Sequence, residues 1–328
     1  MPSTETKICH DITEAAELLR GGRLVAFPTE TVYGLGADAL NVSAVARIFE
    51  SKGRPTFDPL IVHVADRSWM DDLVTDFPPL ARKLADEFWP GPLTLVLPKG
   101  DRVPDLVTAG LPAVGIRIPA NPTARELIAA AGCPVAAPSA NPFSGISPTT
   151  AQHVMDGLGG RIDAILDGGP CAVGLESTVV SFAAESPIVL RPGGLPIEQI
   201  ESVTGPIGRA KSDPSADDSA QAAPGMLSRH YAPAVPMIVT DPQTEPSGNL
   251  STNAALLTWG RQAGADPKRY SVIKNLDPDG DLTRCAAQFF AALRALDAAN
   301  PDVIIAHRFP NQGLGIALND RLQRAAAR

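Results

Sequence analysis

Two short segments combine charged or hydrogen-bonding side chains with the residues that build rigid turns. Residues 52–55 read KGRP, and residues 138–141 read PSAN. Proline and glycine favour tight turns. The compact ammonium group of Lys52 and the planar guanidinium group of Arg54 suit a polyanion. Ser139 and Asn141 add neutral donors for the same oxygens. If the two turns meet, a nucleotide triphosphate is the ligand that fits them; otherwise they are two solvated turns.

A second polar segment follows a predicted strand. Residues 28–36 read PTETVYGLG, and residues 34–39 match the dinucleotide pattern GxGxxA. That match is weak, because the glycines come some seven residues after the strand instead of at its end. The threonines and the tyrosine offer hydroxyl groups to a small polar ligand, and the alternative is a purely structural loop.

Two polar residues interrupt apolar runs. His63 lies within PLIVHV, where a histidine is more often a satisfied core residue than a ligand. Arg117, within VGIRIP, alternates with isoleucines that should face the core, and it follows Gly115, which permits close approach. Arg117 is therefore either a carboxylate clamp or a surface arginine. Polar clusters at residues 174–180 and 190–194 also lie at strand ends, where open α/β sheets hold ligands.

Composition and length limit the class of protein. The chain has 328 residues, which suggests two domains, and 44% of them are hydrophobic, which is enough for a substantial core. No apolar run approaches the roughly 20 residues of a membrane span. The N-terminal residues carry acids where a signal peptide has an apolar segment, so we expect a cytoplasmic protein. The four cysteines lack CxxC spacing and the histidines do not cluster, which favours reduced thiols over a metal site.

The net charge of −8 is unevenly distributed. Residues 1–205 contain 15 Lys and Arg against 24 Asp and Glu, a net charge of −9, whereas residues 206–328 carry +1. An acidic N-terminal part is a poor candidate for binding a phosphate backbone, so we expect no strong direct contact with nucleic acid.

The order of predicted elements divides the chain into three parts. Residues 1–205 alternate short apolar runs with amphipathic stretches, which predicts an α/β or α+β sheet domain with helix caps at Asn121 and at Thr149 or Thr150. Residues 206–236 begin as a polar linker and end in an apolar, aromatic and cationic patch, which predicts a lid. Residues 237–328 alternate strands and helices, which predicts a small doubly wound domain with a parallel sheet.

Seven motifs taken together resemble a known family. The segments TETVYGLGADA, KGRPTFDPLIVHV, PLTLVLP, VGIRIP, PSANPFSGISPT, GLESTVVSF and LRPGG occur in the order found in the YrdC family of threonylcarbamoyl-AMP synthases. PGMLSRHYAP and the small domain after it resemble the longer, two-domain form. The resemblance covers nearly the whole chain. It implies a twisted, mixed-sheet α/β catalytic domain with a concave, cation-lined cavity, and a Rossmann-like C-terminal domain.

The resemblance also implies a reaction and its partners. L-threonine, bicarbonate and ATP would give threonylcarbamoyl-AMP, pyrophosphate and water, and the product would supply the machinery that transfers threonylcarbamoyl groups to tRNA. Mg²⁺ would enter with ATP, without a metal site built from protein ligands alone. Such a reaction asks the protein mainly to position anions and neutralise developing charge.

Site residues follow from the same resemblance. The implied phosphate-binding tetrad is Lys52, Arg54, Ser139 and Asn141, with Ser147 close by. The implied threonine-binding set is Thr31, His63, Arg117 and Ser177, in which Arg117 holds the carboxylate. The implied further nucleotide contacts are Arg191, His230 and Tyr231. Asp58 departs from the family pattern, which commonly has asparagine there; an aspartate accepts but does not donate, and it repels phosphates unless it faces a ribose hydroxyl.

Three other functions compete with this one. A double-stranded RNA-binding protein of the same fold is disfavoured by the −9 charge of residues 1–205. A carbamoyltransferase like the hydrogenase-maturation proteins would need an acylphosphatase-like segment and zinc-finger cysteines, which four scattered cysteines do not supply. A non-catalytic regulator is disfavoured because the catalytic motifs are intact.

Overall fold

The computed structural model describes residues 5–184, 186–210, 230–244, 253–261 and 269–327. Within these residues the chain forms a large mixed sheet and a smaller parallel sheet, both with helices packed against them. The predicted fold class is therefore confirmed. The predicted patch at residues 224–226 and most of the linker before it lie outside the described residues.

The large sheet contains eleven of the described strands. They are β1 (Lys7–Cys9), β2 (Val25–Phe27), β3 (Gly34–Asp38), β4 (Ile61–His63), β5 (Leu93–Pro98), β6 (Ala113–Arg117), β7 (Val135–Ala136), β8 (Ala164–Leu166), β9 (Thr178–Ser181), β10 (Ile188–Arg191) and β11 (Gly208–Arg209). Their order across the sheet is β1-β8-β2-β3-β7-β4-β6-β5-β9-β10-β11. Because β11 pairs with β10, the sheet extends into the first residues of the predicted linker. The division into domains stays a prediction.

Helices cover this sheet. They are α1 (Ile12–Arg20), α2 (Val42–Lys52), α3 (Pro79–Phe88), α4 (Asp105–Thr108), α5 (Pro122–Ala131), α6 (Ala151–Leu158) and α7 (Ile197–Thr204), with a 3-10 helix at Arg67–Asp72. The predicted caps are confirmed: Oδ1 of Asn121 accepts from the Ala124 amide at 3.2 Å, and Oγ1 of Thr150 accepts from the His153 amide at 3.2 Å. No helix within the described ranges is both long and apolar enough to cross a membrane.

The match of residues 34–39 to the dinucleotide pattern has a structural cause. These glycines lie in β3, which pairs antiparallel with β2, and not in a loop that opens a helix. A Cβ atom on Gly36 would lie 2.8 Å from Cε1 of Phe27, so glycine is required for packing between the strands. The hydroxyl of Tyr33 donates to the Gly169 carbonyl at 2.8 Å and is part of the core, so the expectation that it serves a ligand is wrong.

The C-terminal residues form the smaller sheet. Its strands are β12 (Met237–Thr240), β13 (Ala254–Thr258), β14 (Val272–Asn275) and β15 (Val303–His307), and its helices are α8 (Leu282–Ala298) and α9 (Leu314–Ala326). The strand order is β12-β15-β13-β14 and every pair is parallel. This confirms the predicted small parallel sheet.

The two sheets share buried surface. The apolar cluster around α8 and α9 includes Val32, Ile146 and Leu175 from the first 205 residues. At Gly174, where φ is +74°, an added Cβ would lie 2.4 Å from the Ala286 carbonyl oxygen, so the two backbones touch. Helix α8 therefore packs directly against the segment that precedes β9.

Candidate active site

The two turns that carry the predicted phosphate-binding residues meet. Lys52 is the last residue of α2, and Gly53 ends the helix in the left-handed conformation (φ +63°) that glycine adopts without strain. Nζ of Lys52 donates to the carbonyl of Ser139 at 2.6 Å and to that of Asn141. Two of the three ammonium donors thus hold the 138–141 turn. Burial, and then the neighbouring Arg54, lower the pKa of Lys52 well below its usual value.

Arg54 and Asp58 form a buried pair behind this turn. The guanidinium of Arg54 donates to the carbonyls of Asp58 at 3.1 Å and Pro59 at 2.8 Å. Its Nη2 also lies 2.9 Å from Oδ2 of Asp58, an ion-pair contact without hydrogen-bond geometry. Burial raises the pKa of Asp58 and lowers that of Arg54. Asp58 therefore offsets part of the charge of Arg54.

His63 and Arg117 are neighbours in register on the parallel strands β4 and β6. Nη2 of Arg117 donates to Oε1 of Glu30 at 2.6 Å, and its Nε donates to the Gly91 carbonyl at 3.3 Å. Burial, and then Arg117, lower the pKa of His63 to about 3, so its imidazole is neutral at physiological pH. Its Nδ1 has no hydrogen-bond partner among the described residues. The arginine is thus buried and paired; it is not a surface residue.

Ser177 and Arg191 meet at the ends of β9 and β10. Nη2 of Arg191 donates to the carbonyl of Ser177 at 2.9 Å and to its hydroxyl at 3.2 Å, while Oγ of Ser177 lies 2.8 Å from Oγ1 of Thr94. An added Cβ at Gly193 would lie 2.3 Å from the Glu176 carbonyl oxygen. The RPGG segment therefore needs glycine to pass directly over the backbone before Ser177.

His230 and Tyr231 complete the site from the end of the predicted lid. Their ring centroids lie 4.1 Å apart, and the Tyr231 ring lies 5.6 Å from that of Phe290 on α8. Tyr231 has a φ of +62°, a left-handed conformation that costs a non-glycine residue roughly 1–2 kcal/mol. Burial, and then the nearby cations, lower the pKa of His230 far below its usual value, and burial raises that of Tyr231.

Most of the predicted site residues line one cavity of about 50 Å³. Those that line it are Thr31, Arg54, His63, Arg117, Ser139, Ser177, Arg191, His230 and Tyr231. The other four, which do not line it, are Lys52, Asp58, Asn141 and Ser147. These four are buried and support the walls; for example, the amide of Asn141 donates to the carbonyls of Pro142 at 2.8 Å and Gly145 at 2.9 Å.

Three residues at the site were not predicted. Glu176 lines the cavity, and its Oε1 accepts from the hydroxyl of Ser147 at 2.5 Å. Glu30 holds Arg117. Both carboxylates lie within motifs already quoted, and the available signals were the position of Glu30 between Thr29 and Thr31 and that of Glu176 directly before Ser177. Arg321 of α9 donates through Nε to Oε2 of Glu176 at 2.8 Å, and no sequence motif marked it.

Positive charge exceeds negative charge among the buried side chains of the site. The cations are Lys52, Arg54, Arg117, Arg191 and Arg321, and the carboxylates are Glu30, Asp58 and Glu176. Buried charges attract strongly because the surrounding dielectric is low, so this excess suits an anionic ligand. In the described ranges, no group of three or more His, Cys, Asp and Glu side chains could hold a metal ion.

Two family models match adjoining parts of the chain. The Sua5/YciO/YrdC model, described as "Telomere recombination", matches residues 17–193, and the model described as "Threonylcarbamoyl-AMP synthase, C-terminal domain" matches residues 195–327. Together the two matched ranges include most of the strands of both sheets. The alternative of an RNA-binding or regulatory protein is not favoured by these matches.

Named relatives are similar over nearly the full length. The chain is 46% identical to the threonylcarbamoyl-AMP synthase of Bacillus subtilis over 96% of this chain and 92% of that protein, and 36% identical to that of Schizosaccharomyces pombe over 100% and 90%. The crystal structure of Pyrococcus abyssi Sua5 complexed with L-threonine superposes with a TM-score of 0.86, 38% identity, and coverage of 98% of each chain. The chain belongs to the Sua5/YciO/YrdC family, in the two-domain form of the threonylcarbamoyl-AMP synthases.

Proposed function

We propose that this enzyme joins L-threonine, bicarbonate and ATP into threonylcarbamoyl-AMP, with release of pyrophosphate and water. The observation that supports this best is a group of buried polar atoms without partners among the described residues. Nδ1 of His63, Nδ1 of His230 and the hydroxyl of Tyr231 all belong to residues that line the cavity. Because buried polar atoms are normally hydrogen-bonded, these atoms fit a ligand that supplies the missing partners.

The side of the cavity formed by β4 and β6 suits threonine. Arg117 would hold the carboxylate, and Thr31 and Ser177 would hydrogen-bond the amino acid's polar groups. His63, with a pKa of about 3, is too weak a base to remove protons efficiently at neutral pH, so its role is to hydrogen-bond the ligand. The L-threonine complex of the P. abyssi protein supports threonine as the ligand.

The other side suits the triphosphate. The phosphates would lie at the turn formed by Lys52, Arg54, Ser139 and Asn141, of which Arg54 and Ser139 line the cavity. Ser147 and Arg191 would contact the nucleotide from the neighbouring walls. The hydroxyl of Ser147 donates to Glu176, so toward a ligand it accepts. Mg²⁺ would arrive on the triphosphate as part of the substrate, since the described residues include no cluster able to hold it alone.

The chemistry then needs two bond-forming steps. Bicarbonate takes up a proton and loses water to supply carbon dioxide. The threonine amine adds to the carbon dioxide and gives up a proton, which leaves a carbamate. A carbamate oxygen attacks the α-phosphorus of ATP, the bond to the β-phosphate oxygen breaks, and pyrophosphate leaves with the electron pair. Lys52 and Arg54 would stabilise the charge that develops on the leaving group.

The product is a reactive mixed anhydride, so we expect a further enzyme to use it. We expect a cytoplasmic enzyme whose product is used by the machinery that transfers threonylcarbamoyl groups to tRNA. The proposal is tested by measuring pyrophosphate release with each of the three substrates omitted in turn. Dependence on both threonine and bicarbonate supports the proposal, and ATP hydrolysis that ignores both omissions excludes it.

A further inference from the structure

Helix α9 places a buried cation directly behind a residue that lines the cavity. Arg321, on α9, is 0% exposed. Besides its bond to Glu176, its Nη2 donates to the Pro192 carbonyl at 3.0 Å. Both partners belong to the catalytic part of the chain: Glu176 lies just before β9, next to Ser177, and Pro192 directly follows Arg191 at the end of β10. A fully buried arginine aimed out of its own domain is unusual unless it pairs with a specific acid.

Its partner, Glu176, is a problem for a site that binds ATP. This carboxylate lines the cavity, which must also admit a triphosphate. An unpaired carboxylate there would repel the phosphates through a low-dielectric interior. The ion pair with Arg321 removes that repulsion and leaves Oε1 of Glu176 to orient the hydroxyl of Ser147.

The guanidinium of Arg321 also contacts Tyr231, which belongs to the predicted lid. Cζ of Arg321 lies 4.9 Å from the centroid of the Tyr231 ring, a cation–π geometry. Its Nη1 donates to Oδ2 of Asp320 at 2.5 Å, and Asp320 is also bound by Arg324 at 3.1 Å. Loss of Arg321 would thus leave Asp320 with a partner but would strip Glu176 of its counter-charge.

We propose that Arg321 is a positioning residue for ATP: it neutralises Glu176 and fixes its carboxylate, so that the C-terminal domain is a required part of the nucleotide site. This inference rests on the proposed function. In this inference, the C-terminal domain supplies the positive charge that balances Glu176. That charge comes from Arg321 on α9, whereas the other cations of the site come from the part of the chain that forms the large sheet and its helices.

The test compares Arg321→Met with the double variant Arg321→Met/Glu176→Gln, using the full-length enzyme. We expect Arg321→Met to raise KM for ATP by about tenfold or more, while the dissociation constant for threonine, measured by calorimetry, changes less than about twofold. The double variant removes both charges of a buried pair, which proteins often tolerate. It should return KM for ATP to within about threefold of the wild-type value.

Arg284→Met is the matched control, because Arg284 is half exposed on α8 and pairs with Asp277 away from the cavity. It should leave both constants unchanged. An unaltered KM for ATP in Arg321→Met overturns the inference, as does a double variant that folds but stays as impaired as the single one. If Arg321→Met does not fold, KM for ATP in the double variant tests the inference alone. A value within about threefold of wild type supports the inference, and a larger increase overturns it. Failure of the wild-type enzyme to make the adenylate at all would instead contradict the proposed function.

Discussion

Nη2 of Arg117 lies 2.6 Å from Oε1 of Glu30, and both side chains are buried beside the cavity. The arginine expected to hold a ligand carboxylate therefore already has a carboxylate from the protein. Glu30 also accepts a hydrogen bond from the Asn121 amide at 3.4 Å, so it is fixed from a second side. We infer that Glu30 orients the guanidinium and that threonine would use its remaining donors.

Replacement of Arg117 by alanine should weaken threonine binding by about 2–4 kcal/mol, because a charged hydrogen-bond partner is lost. It should also destabilise the fold, since Glu30 becomes an unpaired buried acid. Calorimetry gives the affinity and thermal unfolding gives the stability. The double variant Glu30→Gln/Arg117→Ala separates the two effects: it should regain stability without regaining threonine affinity. Unchanged threonine affinity in either variant would remove Arg117 from the clamp role.

Replacement of Lys52 by methionine should lower kcat/KM by on the order of 10²-fold or more, because the cation stabilises charge at the reacting phosphates. The matched control is Lys83→Met on the exposed face of α3. Steady-state pyrophosphate release measures both. Since Lys52 also holds the carbonyls of Ser139 and Asn141, folding must be checked by circular dichroism. A folded Lys52→Met enzyme with near-normal turnover would exclude this lysine from the site.

ATP binding should be accompanied by proton uptake. The pKa of Lys52 is lowered without ligand, and anionic phosphates favour the charged form, so its pKa rises on binding. The apparent ATP affinity should therefore fall as pH increases through the lowered pKa. Calorimetry in two buffers of different ionisation enthalpy measures the uptake, and Lys52→Met should reduce it. Equal uptake in wild type and variant would show that another group titrates.

Acid should destabilise the protein partly through His63. Its pKa is about 3 in the fold against 6.5 when exposed. Between these values the unfolded chain binds a proton that the folded chain does not, so stability falls as pH drops from 6.5 toward 3. The share of His63 is on the order of 5 kcal/mol, because each unit of this pKa difference corresponds to about 1.4 kcal/mol. Chemical unfolding across this range should show that the free energy of unfolding declines less steeply for His63→Gln than for wild type. The exposed-site variant His10→Gln should match wild type. Identical slopes in all three proteins contradict a neutral buried His63.

The segment at His230 and Tyr231 should open to admit ATP. The cavity beneath it measures about 50 Å³, whereas ligand pockets of nucleotide size span roughly 300–1,000 Å³. The double change of both residues to alanine should sharply reduce adenylate yield while threonine affinity is largely kept, because closure excludes water from a labile intermediate. Hydrogen exchange should show added protection of residues 230–233 with ATP and threonine together. Full yield in the double variant would rule out a lid.

Much of the fold was predictable because local patterns and tertiary packing agree. Amphipathic spacing predicts a helix at residues 42–51 and an apolar run predicts a strand at residues 60–64. The structure has α2 at Val42–Lys52 and β4 at Ile61–His63, almost as expected. Strand β3 was missed because glycines lower strand propensity, and they are present to let Phe27 pack against the sheet.

The site was predictable only in part, for a different reason. Arg117 and Ser177 belong to ordered motifs, and the cavity brings them together. Arg321 has no motif and acts across nearly 150 residues of sequence on Glu176, so only the packing of α9 against the catalytic wall reveals it. Roles such as that of Lys52, which binds backbone carbonyls, also depend on geometry that spacing does not encode.

The most direct measurement of the central claim is mass spectrometry of the product formed from ATP, L-threonine and ¹³C-labelled bicarbonate. The proposed reaction predicts a threonylcarbamoyl adenylate that carries the labelled carbon, together with an equal amount of pyrophosphate, and neither should form when threonine is omitted. Formation of AMP and pyrophosphate alone, at a rate independent of threonine and bicarbonate, would contradict it.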